Sequence, residues 1–227
     1  MVIAGVFLGF QLNNWNEARA ERANERQYVL SLLDDMRRSA AALEENNRFL
    51  ARQTDTEFIL LESLKSCSIA ESDQQAVGGA LASLGKFFFA QIDRELLDEL
   101  RASGALGRIG SADIRESLAA LVQSANGQRR TEAQFLAQST PMVIEARSFY
   151  FFEGPAEAVG SGRWDIWDNL RFDLETACAD PSFIAAVGNI REATRNLMVW
   201  NGEIAGDVDA AIAALESEVE ARGWSRP

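Results

Sequence analysis

Carboxylates are the side chains of this sequence whose pattern comes nearest to chemistry. Asp34 and Asp35 stand in tandem, and Asp165, Asp168, Asp173 and Glu175 follow one another closely beside Trp164 and Trp167. Two acids facing one pocket could run glycoside hydrolysis or hold a hard metal ion. Arg163 and Arg171 lie next to the same acids, and solvated or arginine-paired carboxylates are the reading adopted here. The chain contains no histidine, which removes His-based triads, His-assisted thiol nucleophiles, His₃ zinc sites and His-ligated haem. Cys67 and Cys178 are too distant in sequence for a CxxC pair. In an oxidising compartment they could close one long loop as a disulfide; otherwise they are two unrelated thiols. The expectation is a protein that is not an enzyme, with no catalytic residue, metal or cofactor.

More is carried by the N-terminus. Residues 1–12 hold no charge and one polar side chain, Gln11, and Asn13-Asn14-Trp15-Asn16-Glu17 follow directly. Hydrocarbon, then an interfacial aromatic, then a charged helix is the order in which a helix leaves a bilayer. Trp15 suits the headgroup layer, where its ring is half apolar and its N–H finds a partner, and the flanking asparagines can satisfy polar groups there. A span needs about 20 apolar residues and here about twelve are present. A buried core helix and the remnant of a signal peptide are the competing readings. No Lys or Arg precedes Arg19 and no small-x-small cleavage site is visible, which disfavours the signal. Val2 to Phe10 is apolar on all sides, and Gly5 and Gly9 form a G-x-x-x-G pair, compatible with helix packing in lipid. Residues 1–14 are therefore expected to be the C-terminal part of a transmembrane helix whose start is lost, and residues 15–227 an extracytoplasmic helical domain.

That domain reads as all-α. Val29, Leu33, Met36, Ala40, Leu43, Leu50, Leu61 and Leu64 keep a 3–4 spacing, interrupted by Asn47, Thr54 and Glu57. No Pro or Gly occurs between Gly9 and Gly78, so one rod of about 50 residues, roughly 75 Å at 1.5 Å each, is permitted. The charged opening from Glu17 to Arg26 reads as a solvated face. Further helices are expected from Gln74 to Leu84, from Arg94 to Ala102 with Asp93 as cap, and from Ser111 until Pro141 kinks or ends it. Phe87-Phe88-Phe89 reads as core. Residues 148–168, rich in aromatics, Gly and Pro, read as an ordered loop sealing a bundle. Asp180-Pro181 starts a last helix that runs to about Ala221 and stops at Gly223. No strand pattern is visible, and the architecture expected is a long N-terminal helix packed into an antiparallel bundle with the aromatic loop at its end.

Two segments resemble an uncharacterised family of bacterial single-pass membrane proteins, classed as a domain of unknown function. Asn13-Asn14-Trp15-Asn16-Glu17 after an apolar run is similar to that family's N-N-W-N-E motif behind a transmembrane helix. Leu97-Asp-Glu-Leu-Arg-Ala-Ser-Gly-Ala-Leu-Gly-Arg-Ile109, followed by Ile114-Arg-Glu-Ser-Leu118, looks like its E-L-x-x-S-G-x-L-x-x-I segment and L-R-x-x-L helix. The resemblance implies a cytoplasmic N-terminus and a periplasmic helical body, and no reaction.

The net charge of −12 argues against general affinity for nucleic acid. The function expected is a membrane-anchored structural or interaction protein of the bacterial inner membrane. It would dock on, or form an accessory subunit of, a larger membrane complex, respiratory or photosynthetic complexes being examples. Support comes from the helical stripe, read as exposed, with Asn47 and Thr54 setting register. The alternatives are an extracytoplasmic ligand-binding or sensor module and, further off, a carboxylate-based hydrolase.

Overall fold

In the computed structural model the backbone is described for residues 2–89, 91–153, 167 and 169–224, and side chains from Trp15 onward. The elements are α1 (Val2–Ser66), α2 (Gln74–Ser83), α3 (Glu95–Ala102), α4 (Ala112–Arg147), β1 (Tyr150–Phe152), β2 (Leu170–Phe172), α5 (Leu174–Ala179) and α6 (Pro181–Ala221). The described residues are all-α but for the antiparallel pair β1–β2, in register Tyr150↔Phe172 and Phe152↔Leu170. That small sheet departs from the expected loop; three-residue strands are too short to show an alternating pattern. The rest of the loop, 154–166 with Asp165 and Trp164, and Asp168 as well, lies outside the described residues.

Local chemistry sets the helix ends. Asp180 caps α6: its Oδ1 accepts from the Ser182 and Phe183 amides at 2.8 and 3.3 Å, with Pro181 at the first position, where a missing N–H costs nothing. These hydrogen bonds, the Ser182 hydroxyl first, hold the Asp180 carboxyl below its ordinary pKa. At the other end Gly223 takes φ +62 and the Trp224 amide donates to the Val219 carbonyl at 2.9 Å, the closure typical of a left-handed C-terminal cap. α1 ends alike, with Ser68 N on Ser63 O at 3.1 Å, but the left-handed residue there is Cys67, φ +49.

Two expected boundaries need correction. Asp93 does not cap α3; α3 starts at Glu95 without a side-chain cap, because the Asp93 carboxylate is taken by Arg38 of α1 at 2.8 and 3.1 Å. Pro141 does not end α4, which continues to Arg147. Losing one N–H is tolerated where Phe135, Ser139 and Ala146 are all buried on that helix.

Two compact units are formed. Unit 1 comprises Met1–Ala42, Gln91–Ala125 and Ile204–Pro227. Its core joins Val29, Leu32 and Met36 of α1 to Leu97 and Leu100 of α3, Ile114 and Leu118 of α4, and Val208 and Leu215 of α6. Arg37 pairs with Glu216 at 2.7 Å and Glu25 with Arg222 at 3.8 Å, so α1 and α6 run antiparallel. Both pairs are partly exposed and contribute little individually.

Unit 2 comprises Leu43–Ala90 and Asn126–Glu203. Leu60, Leu64, Val77, Leu81, Phe183, Val187 and Ile190 form its apolar centre, with Tyr150 and Leu170 bringing the two strands onto it. Phe87 and Phe89 stack edge-to-face on Phe135. Phe88 is 52% exposed, while Phe87 and Phe89 are half-buried, so the triple phenylalanine lies at the edge of the core and not within it. After α2 the chain turns at Gly85, φ +74, where a Cβ would run into Val143. Gly85→Ala is expected to lower stability by about 1–3 kcal/mol through strain and overlap together, read as a lowered thermal midpoint in circular dichroism.

Candidate functional site

The membrane-end motif lies within α1. From Trp15 to Asn24 every residue except half-buried Ala18 is exposed, so this part of the helix buries no side chain fully. Burial begins only at Val29. Trp15 is 54% exposed, and the Arg19 guanidinium, one turn on, sits 5.7 Å from its ring centroid. Asn16 and Glu17 are exposed beside it. Asn13 and Asn14 are helical in backbone, and their side chains lie outside the described residues. An exposed tryptophan with a guanidinium over its ring presents an apolar face, a polar edge and a charged lid. No helix among the described residues is long and apolar enough to cross a membrane. The apolar run Val2–Leu12 rises roughly 16 Å at 1.5 Å per residue, about half a hydrocarbon core.

The stripe read as an exposed docking face is not one. Leu43, Leu50, Leu64, Thr54 and Glu57 are buried, and Asn47 and Leu61 are half-buried. Partner helices, which periodicity along one helix cannot reveal, cover that face.

Cys67 and Cys178 are brought together and bonded, with Cα atoms 5.5 Å apart, tying the end of α1 to α5 within unit 2. Among the described candidate acids, Asp35 and Asp173 hold local structural contacts. Asp34 and Asp35 are neighbours on a helix and cannot face one pocket. Asp35 is buried against Arg38, 2.5 Å away, and burial, then the charge of Asp93, raises its pKa. Asp173 caps α5 by accepting from the Thr176 hydroxyl and amide at 2.6 and 3.2 Å, which lowers its pKa. Glu175 is exposed.

What sequence reasoning treated as an interruption is the most unusual group of the chain. Glu57 is completely buried. Its Oε1 accepts from Gln53 Nε2 at 2.9 Å, and the same amide donates to the Ser83 carbonyl at 3.2 Å. Glu57 Oε2, Gln53 Oε1 and both polar atoms of Asn201 have no hydrogen-bond partner among the described residues. Burial pushes the Glu57 carboxyl up to about 7, against weaker opposing effects of Gln53, Thr194 and the charge of Arg191. The Thr194 hydroxyl donates to the Ile190 carbonyl at 3.0 Å and leaves the second Glu57 oxygen unsatisfied. A glutamate three residues beyond Thr54 on a leucine stripe was the available signal; no local rule says that it is neutralised by burial.

No protein-family model, no curated protein and no solved structure matches this chain. Function must be read from the geometry of the chain itself. Two places stand out: the exposed, tryptophan-bearing end of α1 in unit 1, and the buried carboxylate of unit 2.

Proposed function

We propose that this is a membrane-anchored helical interaction protein, held by the apolar end of α1 in the bacterial inner membrane with its acidic body in the periplasm. The observation that carries this reading is the exposure of every residue of α1 from Trp15 to Asn24 but half-buried Ala18, in a helix that begins at Val2 in the apolar run. A polar stretch of helix with no fully buried side chain is what a stalk between an apolar medium and a folded body requires. Trp15 with Arg19 marks the headgroup level on that stalk. The Cys67–Cys178 bond supports an oxidising compartment such as the periplasm. The resemblance of the N-N-W-N-E segment to single-pass membrane proteins points the same way.

The partner proposed is another membrane protein, for which this chain is an accessory subunit. Large apolar side chains stand exposed on unit 2, Ile144 at 67% and Val199 at 60%, and suit a protein contact better than solvent. The second reading, a ligand-sensing module, is favoured by one feature, the uncompensated Glu57 oxygen inside unit 2.

Isolation of the intact polypeptide with the membrane fraction tests the first reading. It should resist a carbonate wash and float with liposomes, and Trp15→Glu should weaken flotation several-fold, since an interfacial charge replaces an anchoring ring. Recovery of the native chain in the aqueous fraction without detergent would overturn it.

A further inference from the structure

We propose that unit 1 binds a phosphoethanolamine headgroup, that of a bilayer phospholipid, in a recess beside the membrane end of α1. This rests on the anchored reading above. The recess has a volume of about 470 Å³ and is lined by Glu21, Arg22, Glu25 and Tyr28 of α1 together with Arg108 and Ile109, which close the turn after α3.

One wall is fixed by built contacts. Glu25 Oε1 accepts from the Gly110 amide at 3.1 Å, where Gly110 takes φ +59, and Arg115 Nη1 donates to the Ile109 and Gly110 carbonyls at 3.3 and 2.8 Å. The turn carrying Arg108 is thereby pinned to α1. On the other wall Arg22 Nε donates to the Ala18 carbonyl at 3.0 Å, which holds the guanidinium along the rim. Its terminal amino groups have no partner among the described residues, nor do the Arg108 guanidinium and the Glu21 carboxylate.

The recess therefore presents the Arg22 and Arg108 guanidiniums and the Glu21 carboxylate, charges separated in sign, beside a Glu25 carboxylate already shared by the Gly110 amide and Arg222. A phosphodiester matches the guanidiniums, which bind planar oxygen pairs in fork geometry. A primary ammonium can donate to Glu21 and to the remaining valence of Glu25. A choline headgroup has no N–H to donate. A purely anionic headgroup leaves the Glu21 carboxylate facing it uncompensated. The level is right as well: Glu21 and Arg22 follow Trp15 by six and seven residues, about 9–10 Å at 1.5 Å each. Side chains on a helix lean toward its N-terminus, here toward the bilayer, so both reach back into the headgroup layer.

The test uses the full chain in nanodiscs of phosphatidylethanolamine and phosphatidylcholine in equal amounts. Lipid retained after detergent exchange is counted by native mass spectrometry. Phosphatidylethanolamine should be retained in preference, and the preference should fall about tenfold for each of Arg22→Gln and Arg108→Gln. Both residues are exposed, and unchanged melting curves verify folding. Equal retention of the two lipids, preference for phosphatidylglycerol, or variants that keep the wild-type preference would overturn the site while the anchor stands. Soluble O-phosphoethanolamine binding the detergent-solubilised chain as tightly as the lipid does would overturn the lipid assignment. Failure of the chain to enter nanodiscs at all would strike the anchored reading itself.

Discussion

Glu57→Gln should abolish most of the pH dependence of stability in unit 2. The wild-type carboxyl, ordinarily near 4.5, is pushed to about 7 by burial, so the folded state prefers the proton. A group whose folded pKa lies above its unfolded value confers full stability only below the unfolded value. Stability must fall as pH rises from about 4.5 to about 7 and stay low beyond. The shift corresponds to ~3 kcal/mol across that window. Glutamine keeps the shape, cannot ionise, and removes the cost of a buried charge with an unpaired oxygen. The variant should melt well above wild type at pH 8 and close to it at pH 4.5, as measured by thermal circular dichroism with Trp200 fluorescence as a probe of unit 2. A wild-type midpoint that does not move between pH 5 and pH 8 would show that the carboxylate is compensated.

Reduction of Cys67–Cys178 should have the larger effect. The bond spans 111 residues, and the loop-entropy model assigns about 5 kcal/mol to closing a loop of that length. Unit 2 should unfold at markedly lower temperature in dithiothreitol or in Cys67→Ala/Cys178→Ala, with the difference absent in the already reduced double variant. Cys67 adds a second, separable effect. It holds a left-handed backbone, φ +49, at the end of α1, a position that favours glycine. Cys67→Gly/Cys178→Ala should recover about 1 kcal/mol relative to Cys67→Ala/Cys178→Ala, checked by urea denaturation of the two side by side. Equal stability of the pair would remove backbone strain from the account.

The contrast between these two residues shows how far the chain could be read before its fold was known. Both cysteines were visible, and the bond was one of two outcomes. Their meeting depends on the ends of α1 and α5 sharing one core, which no spacing rule supplies. Glu57 was visible too, as a break in a leucine stripe, but its significance comes from complete burial in unit 2, with Thr194 and Arg191 of α6 nearby. Asp93 fails differently: as a cap it would have served α3 locally, yet Arg38, 55 residues earlier, outcompetes the helix amides for its carboxylate. A charged partner makes a stronger hydrogen bond than a backbone amide does. By the same logic Asp180 was readable, because its partners are the next two amides in the chain.

The amino-acid order alone determined the helical class, the cap at Asp180, the stop at Gly223 and the apolar-then-aromatic start of α1, because each is set by residues within about five positions of one another. The tertiary structure decided which faces are covered, that Pro141 stays inside α4, that two short strands pair, and that one glutamate is sealed from water. Those outcomes depend on surfaces brought together from distant parts of the chain, where burial changes the energy of a charge or a missing hydrogen bond by several kcal/mol, more than any local preference supplies.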